Sequence, residues 1–210
     1  MSKFFKYFPT TKYRDAIVKN ITRRVKILDE VQNDPFSFLP YTVMDDDSPE
    51  MVAYYYYGAA EYSWVVFLSN NIIDPYSQWP MSNENFEKTL ARNYEKEARV
   101  ATSGPYAPQD YLSDRQIVEW SMDTSRTDNI VHYKFTGYDF DTVESISPFM
   151  PIISRDTYEY TLSVPQRAEY GAVRVYDYEN EKNESYRNIR LLNVDYLDTA
   201  VRNLEKEVNG

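Results

Sequence analysis

Four consecutive tyrosines, residues 54–57, stand inside the segment "SPEMVAYYYYG", both ends of which read as helix boundaries. Ser48 is a helix N-cap residue, Pro49 fits the first helical position, and Glu50 faces the positive end of the helix. Gly58 is the residue type that stops a helix in the left-handed conformation. A helix of about nine residues is therefore predicted. Val52, Ala53 and Tyr56 share one of its faces, whereas Tyr54 and Tyr55 are turned at least partly away. Twenty-one of the 210 residues are tyrosine within a hydrophobic content of 42%, so the aliphatic core is thin. A buried phenol needs a partner for its hydroxyl, which favours half-buried and interface positions over a deep core. Aromatic wealth with few aliphatics points to assembly.

A chain of 210 residues has room for one large or two small domains and a core that needs neither disulfides nor a metal. The net charge of -10 argues against nucleic acid as the main ligand, because phosphate binding needs a basic surface. The run "TRRVK" at residues 22–26 reads as a solvated helix face or a local basic patch. With no cysteine, thiolate chemistry is excluded and a reducing compartment fits. Neither a signal peptide nor an apolar run of the ~18 residues that span a membrane is visible, so the chain is expected to be made in the cytoplasm and to have no membrane partner.

Catalytic equipment is sparse. Nucleophilic catalysis of the Ser-His kind needs an imidazole, and the one histidine, His132, reads as a sheet residue in "NIVHYKF". A zinc site would need three carboxylates beside it, and no glycine-rich phosphate loop is present. Asp45, Asp46 and Asp47 are adjacent rather than alternating, which suits a solvated acidic turn and not a calcium loop. A glycosidase needs only two carboxylates that meet in space, but nothing points to such a pair. No catalytic residue, cofactor or metal is therefore expected.

Along the chain, Ile21, Val25 and Leu28 fall at helical spacing before the stop signal "NDP", and residues 41–43 suit a short strand. A second helix over residues 60–69 carries Trp64, Val65, Phe67 and Leu68 nearly all round and should be buried on more than one side. After the loop "NNIIDPYSQWP", Ser82 can cap a helix over residues 83–99 with Phe86, Leu90 and Tyr94 on one stripe. "SGPYAPQDY" at residues 103–111 reads as a linker. Beyond it, "HYKFTGYDF", "YEYTLSV" and "AVRVYDY" read as strands, "ENEKNE" as an exposed hairpin loop and "RNIRLLN" as its returning strand. Val194, Leu197, Val201, Leu204 and Val208 form a seam that fits either docking at home or a coiled-coil contact with another chain. Tyr54, Tyr55, Tyr76 and Trp79 are large amphipathic rings at or near a loop, the usual interface anchors. With Leu197, Val201, Leu204 and Val208 they are the candidate partner interface.

The segment "YTVMDDDSPEMVAYYYYG…NNIIDP" resembles a LysM module: a strand, a "GDT"-like turn, a helix ending in "IAxxYG", a second helix, and an "N-x-I" loop before a closing strand. The resemblance makes Val52, Ala53, Tyr56, Trp64, Val65 and Leu68 the candidate module core. More widely, "YFP", "NITRRVKIL", "FLPYTV", "EYSWVVFLSNNIIDPYSQWPMS" and "YENEKNESYRNIRLL" are similar to the LysM-containing baseplate wedge subunits of T-even-type contractile-tailed bacteriophages. The resemblance implies an α+β chain: an N-terminal extension or anchor (1–40), a two-helix, two-strand LysM-like module with a following helix (41–100), and a C-terminal α+β region, rich in β and ending in a helix (101–210). It implies a non-enzymatic virion protein of the tail baseplate, assembled in the host cytoplasm, that joins wedges to one another and to central hub or tail-tube-end proteins. The alternative it leaves is a LysM-type peptidoglycan-binding module acting in infection or lysis. Free LysM modules hold N-acetylglucosamine chains between the strand-to-helix turn and the loop after the second helix, here residues 45–48 and 70–74. Asp46 in place of the glycine of "GDT" adds charge and backbone restriction, which argues against glycan binding.

Overall fold

The computed structural model describes residues 5, 6, 8–20, 34, 36–104, 111–137 and 150–209. The expected helix around Ile21, Val25 and Leu28, the basic run at 22–26, part of the linker at 103–111 and the side chain of Val208 lie outside what is described. The protein is α+β and divides into two units: residues Met1–Met81 with Asn183–Gly210, and residues Ser82–Lys182. The expected boundaries at 40 and 100 divide the chain by sequence, whereas these units divide it by contact.

The first unit opens with the antiparallel hairpin β1 (Thr10–Tyr13) and β2 (Ala16–Lys19), turned at Arg14 and Asp15. β3 (Phe38–Thr42) follows, then α1 (Pro49–Tyr57), a 3-10 turn (Ala60–Tyr62), α2 (Ser63–Ser69) and α3 (Pro75–Gln78). β3 pairs antiparallel with β7 (Asn188–Leu192), with Thr42 opposite Asn188, and a 3-10 turn (Val194–Tyr196) leads into α9 (Leu197–Asn209). Local chemistry sets α1: Ser48 Oγ accepts from Met51 N at 3.2 Å, and Gly58, at φ 78°, donates its N–H to Tyr54 O at 3.0 Å. α2 is buried on several sides, and Ser69 satisfies its buried hydroxyl by donating to Val65 O at 2.7 Å. One core joins Val43, Val52, Ala53, Tyr57, Trp64, Val65 and Val66 to Leu191, Leu192 and Leu204. Its closing strand thus lies more than 100 residues beyond α2 in the sequence.

The second unit holds α4 (Asn83–Ser103), α5 (Asp114–Met122), β4 (Ile130–Phe135), β5 (Ile152–Ile153), α6 (Arg155–Tyr160), α7 (Val164–Ala168), β6 (Tyr170–Arg174) and most of α8 (Val175–Ser185). α4 packs along α5, whose Ser113 and Gln116 form a capping box. β4 is the centre of a sheet ordered β5-β4-β6, where Tyr133, Ile153, Leu162 and Tyr170 are buried together. The Tyr133 ring stacks on Tyr158 with centroids 3.7 Å apart.

One expected strand, half of a second and the hairpin are corrected here: "AVRVYDY" is strand only as far as Arg174 and is helical from Val175, where α8 begins. "YEYTLSV" is not a strand but runs from the end of α6 through a turn at 161–163 into α7, because Ser154 caps α6, its Oγ accepting from Thr157 N at 3.2 Å, and Ser163 caps α7 with Gln166 and Pro165 behind it. Local capping outweighs the β-propensity of the tyrosines. "ENEKNE" is no loop but the second half of α8, where glutamate and lysine are good helix formers and Glu179 and Lys182 pair across a turn at 3.9 Å. "RNIRLLN" therefore has no hairpin partner beside it and pairs with β3 instead.

Candidate functional site

Residues 44–48 form a turn organised by Asp47. Its Oδ2 accepts from Tyr41 Oη and from Met44 N, each at 3.1 Å, while its backbone oxygen accepts from Trp79 Nε1 at 2.8 Å. One residue thus ties β3, the turn and the loop after α2 together. Burial first, and then Asp47, raises the Tyr41 pKa above the ordinary phenol value. Asp45 pairs with Arg187 Nη2 at 2.7 Å, and Arg187 also holds Glu184. Asp46 sits at φ 68°, a left-handed conformation that aspartate tolerates better than branched residues. It and Glu50 are exposed and carry no ion pair among the described residues.

The loop after α2 is fixed by amides. Asn70 donates through Nδ2 to Val66 O at 2.9 Å and Arg190 O at 2.8 Å, and its Oδ1 accepts from Arg190 N at 2.8 Å. Its carboxamide thereby satisfies the open edge of β7 as a further strand would. Arg190 completes the tie, donating through Nε to Ser69 O at 2.7 Å and lying 4.3 Å over the Phe38 ring. Asn71 adopts φ 53°, Gln78 Oε1 accepts from the N–H groups of Ile73 and Asp74, and Asp74 caps α3.

This rigid frame leaves aromatic and apolar side chains in solvent. Tyr54 is 59% exposed, Tyr55 70% and Tyr76 94%, and the first two rings meet edge to face at 5.9 Å. Trp79 is buried at 8% and its indole N–H is taken by Asp47. Leu197 and Leu204 are buried in the first unit's own core, and Val201 packs half-buried beside them. Val52, Ala53, Trp64 and Val65 are buried; Tyr56 and Leu68 are half-buried against the same core. Tyr57 also enters it, and burial first, then Tyr56, raises its pKa, the Leu192 amide opposing. Sequence reasoning missed Ile73, 91% exposed beside Tyr76. Its signal was an isoleucine held between two asparagines and Asp-Pro, in a loop with no strand to bury it. The roles of Asp47 and Asn70 were also missed, since their partners lie 32 and 120 residues away.

The chemistry this surface offers is contact: rings, a thioether at Met51 and carboxylates with no ion pair among the described residues, on a fixed frame. Among the described residues no group of three His, Asp or Glu side chains is placed to hold a metal ion, and no helix is long and apolar enough to cross a membrane. His132 lies in β4 with its ring edge-on to Tyr178 at 5.7 Å. Residues 4–99, just under half of the chain, match the phage family model described as "Base plate wedge protein 53". The match supports a structural role in a phage baseplate, among other baseplate components and within the virion. No curated protein matches the chain.

Proposed function

We propose that the protein is a non-enzymatic structural subunit of a contractile phage tail baseplate wedge, joining neighbouring wedges and the wedge to the central hub. The observation that carries this is the exposed tyrosine face on a frame held rigid by Asp47 and Asn70, within the segment that matches the baseplate wedge family. Fixed aromatic rings lose little side-chain freedom on contact, which makes them efficient anchors. The order β3, α1, α2, β7 supports a LysM-like block, closed by a strand from the far end of the chain. Within that block the turn at 45–48 and the loop at 70–79 are drawn together by the Trp79 to Asp47 hydrogen bond. Where a free LysM module would hold sugar, this chain has a buried indole and a charged turn, so the block serves protein contact.

Sedimentation of the purified chain with insoluble peptidoglycan, and separately with the neighbouring tail proteins of the same phage, tests the proposal. Migration with the tail proteins alone is expected. Migration with cell wall alone would replace it with the second reading, a LysM-type glycan-binding module, which the β3-α1-α2-β7 order favours.

A further inference from the structure

Charge is distributed very unevenly along the chain. Residues 1–26 contain eight lysines and arginines and one acidic residue, whereas residues 27–87 contain eleven acidic residues and no lysine or arginine. Of these, Lys6, Lys12, Arg14 and Lys19 are among the described residues, with the one acidic residue, Asp15, in the turn of the β1–β2 hairpin, all eight of whose strand residues are exposed. Tyr13 is 60% and Ile17 79% exposed, which leaves apolar surface on both faces of a two-stranded ribbon. A lone ribbon of this kind is marginal in water and gains most from a surface to lie on. Lys19 fixes its root, donating to Phe8 O at 2.6 Å and Lys6 O at 3.0 Å. Lys12 and Arg14 stand at its other end, with the Arg14 guanidinium 5.4 Å from the Tyr13 ring centre.

The acidic segment supplies the complementary surface. α1 places Glu50 one turn before Tyr54 and Met51 one turn before Tyr55, with the exposed Asp46 in the turn ahead of them. Carboxylates beside phenol faces suit arginine and lysine twice over, through charge and through cation–π contact. We infer that the β1–β2 hairpin of one copy docks on the Asp46, Glu50, Tyr54 and Tyr55 face of a second copy. Hairpin and face are different patches, so the contact is head to tail, and each bound pair leaves one hairpin and one face free for further copies. The inference uses the tyrosine face proposed above for baseplate contact but does not require the baseplate role. Loss of self-association with tail-protein binding intact would end this inference alone.

Sedimentation velocity of the full chain over a concentration series, in low and high salt, tests it. The average mass is expected to rise above the 24.9 kDa of one chain as concentration increases, and to fall back in high salt as screening shortens the reach of the charges. A hairpin variant, Lys12→Glu with Arg14→Glu, and a face variant, Asp46→Lys with Glu50→Lys, should each weaken self-association about tenfold or more. Mixed together, the two variants should not pair through their altered patches but should form a 1:1 complex through the intact hairpin of one and the intact face of the other. Circular dichroism checks that each variant folds. A monomer at every concentration, variants that associate as the natural chain does, or folded variants that fail to complement would overturn it.

Discussion

Asp46 and Tyr57 show what single residues do here. At φ 68°, Asp46 occupies a backbone region where a β-carbon branch clashes. Asp46→Gly should leave the melting temperature within a degree or two, while Asp46→Val should cost about 1–2 kcal/mol; equal losses would show that the side chain, not the backbone, matters. Asn70→Leu should cost about 2–3 kcal/mol in urea unfolding, because Arg190 N–H and O lose their partner together. The buried phenols make stability depend on alkaline pH. Burial raises the pKa values of Tyr41, Tyr56, Tyr57 and Tyr133 above the unfolded value near about 10. The folded state then holds these protons while the unfolded state loses them. Their contribution is present in full below about pH 10 and is lost as pH rises towards the folded values. Urea midpoints should be level from neutrality to that point and fall above it, and Tyr57→Phe should make the fall shallower. A midpoint that stayed level through pH 11 would contradict the assignment.

At the scale of elements, α1 is the part most completely legible in the sequence, since Ser48, Pro49 and Gly58 act within a few residues of the helix they bound. Ser48→Ala should cost about 1 kcal/mol and Gly58→Ala about 1–2 kcal/mol, both read from thermal melts. No atom stands within 4 Å of where a Gly58 Cβ would lie, so the second loss is backbone strain and not a clash. The apolar periphery of α2 likewise announced its burial. Elements were misread where two local signals competed: α6 has tyrosines that favour a strand and a serine cap that wins. The pairing of β3 with β7 was not legible at all, because the partners are 146 residues apart and nothing local in "RNIRLLN" names its neighbour.

At the scale of the whole molecule, one compact unit is assembled from both ends of the chain and the other from its middle. The candidate interface was legible only in part. Tyr54, Tyr55 and Tyr76 stand in solvent, but Trp79 and the α9 leucines are buried in the first unit, and a ring at a loop does not reveal whether it will find a partner in its own chain. Partner contact through the exposed rings of Tyr54, Tyr55 and Tyr76 is the central claim, and its most direct test is co-sedimentation with the purified neighbouring baseplate proteins. The natural chain is compared with a folded variant carrying Tyr54→Ser, Tyr55→Ser and Tyr76→Ser. The account predicts that the natural chain migrates with its neighbours and the variant stays behind; a variant that co-migrates equally well would place the contact elsewhere and contradict it.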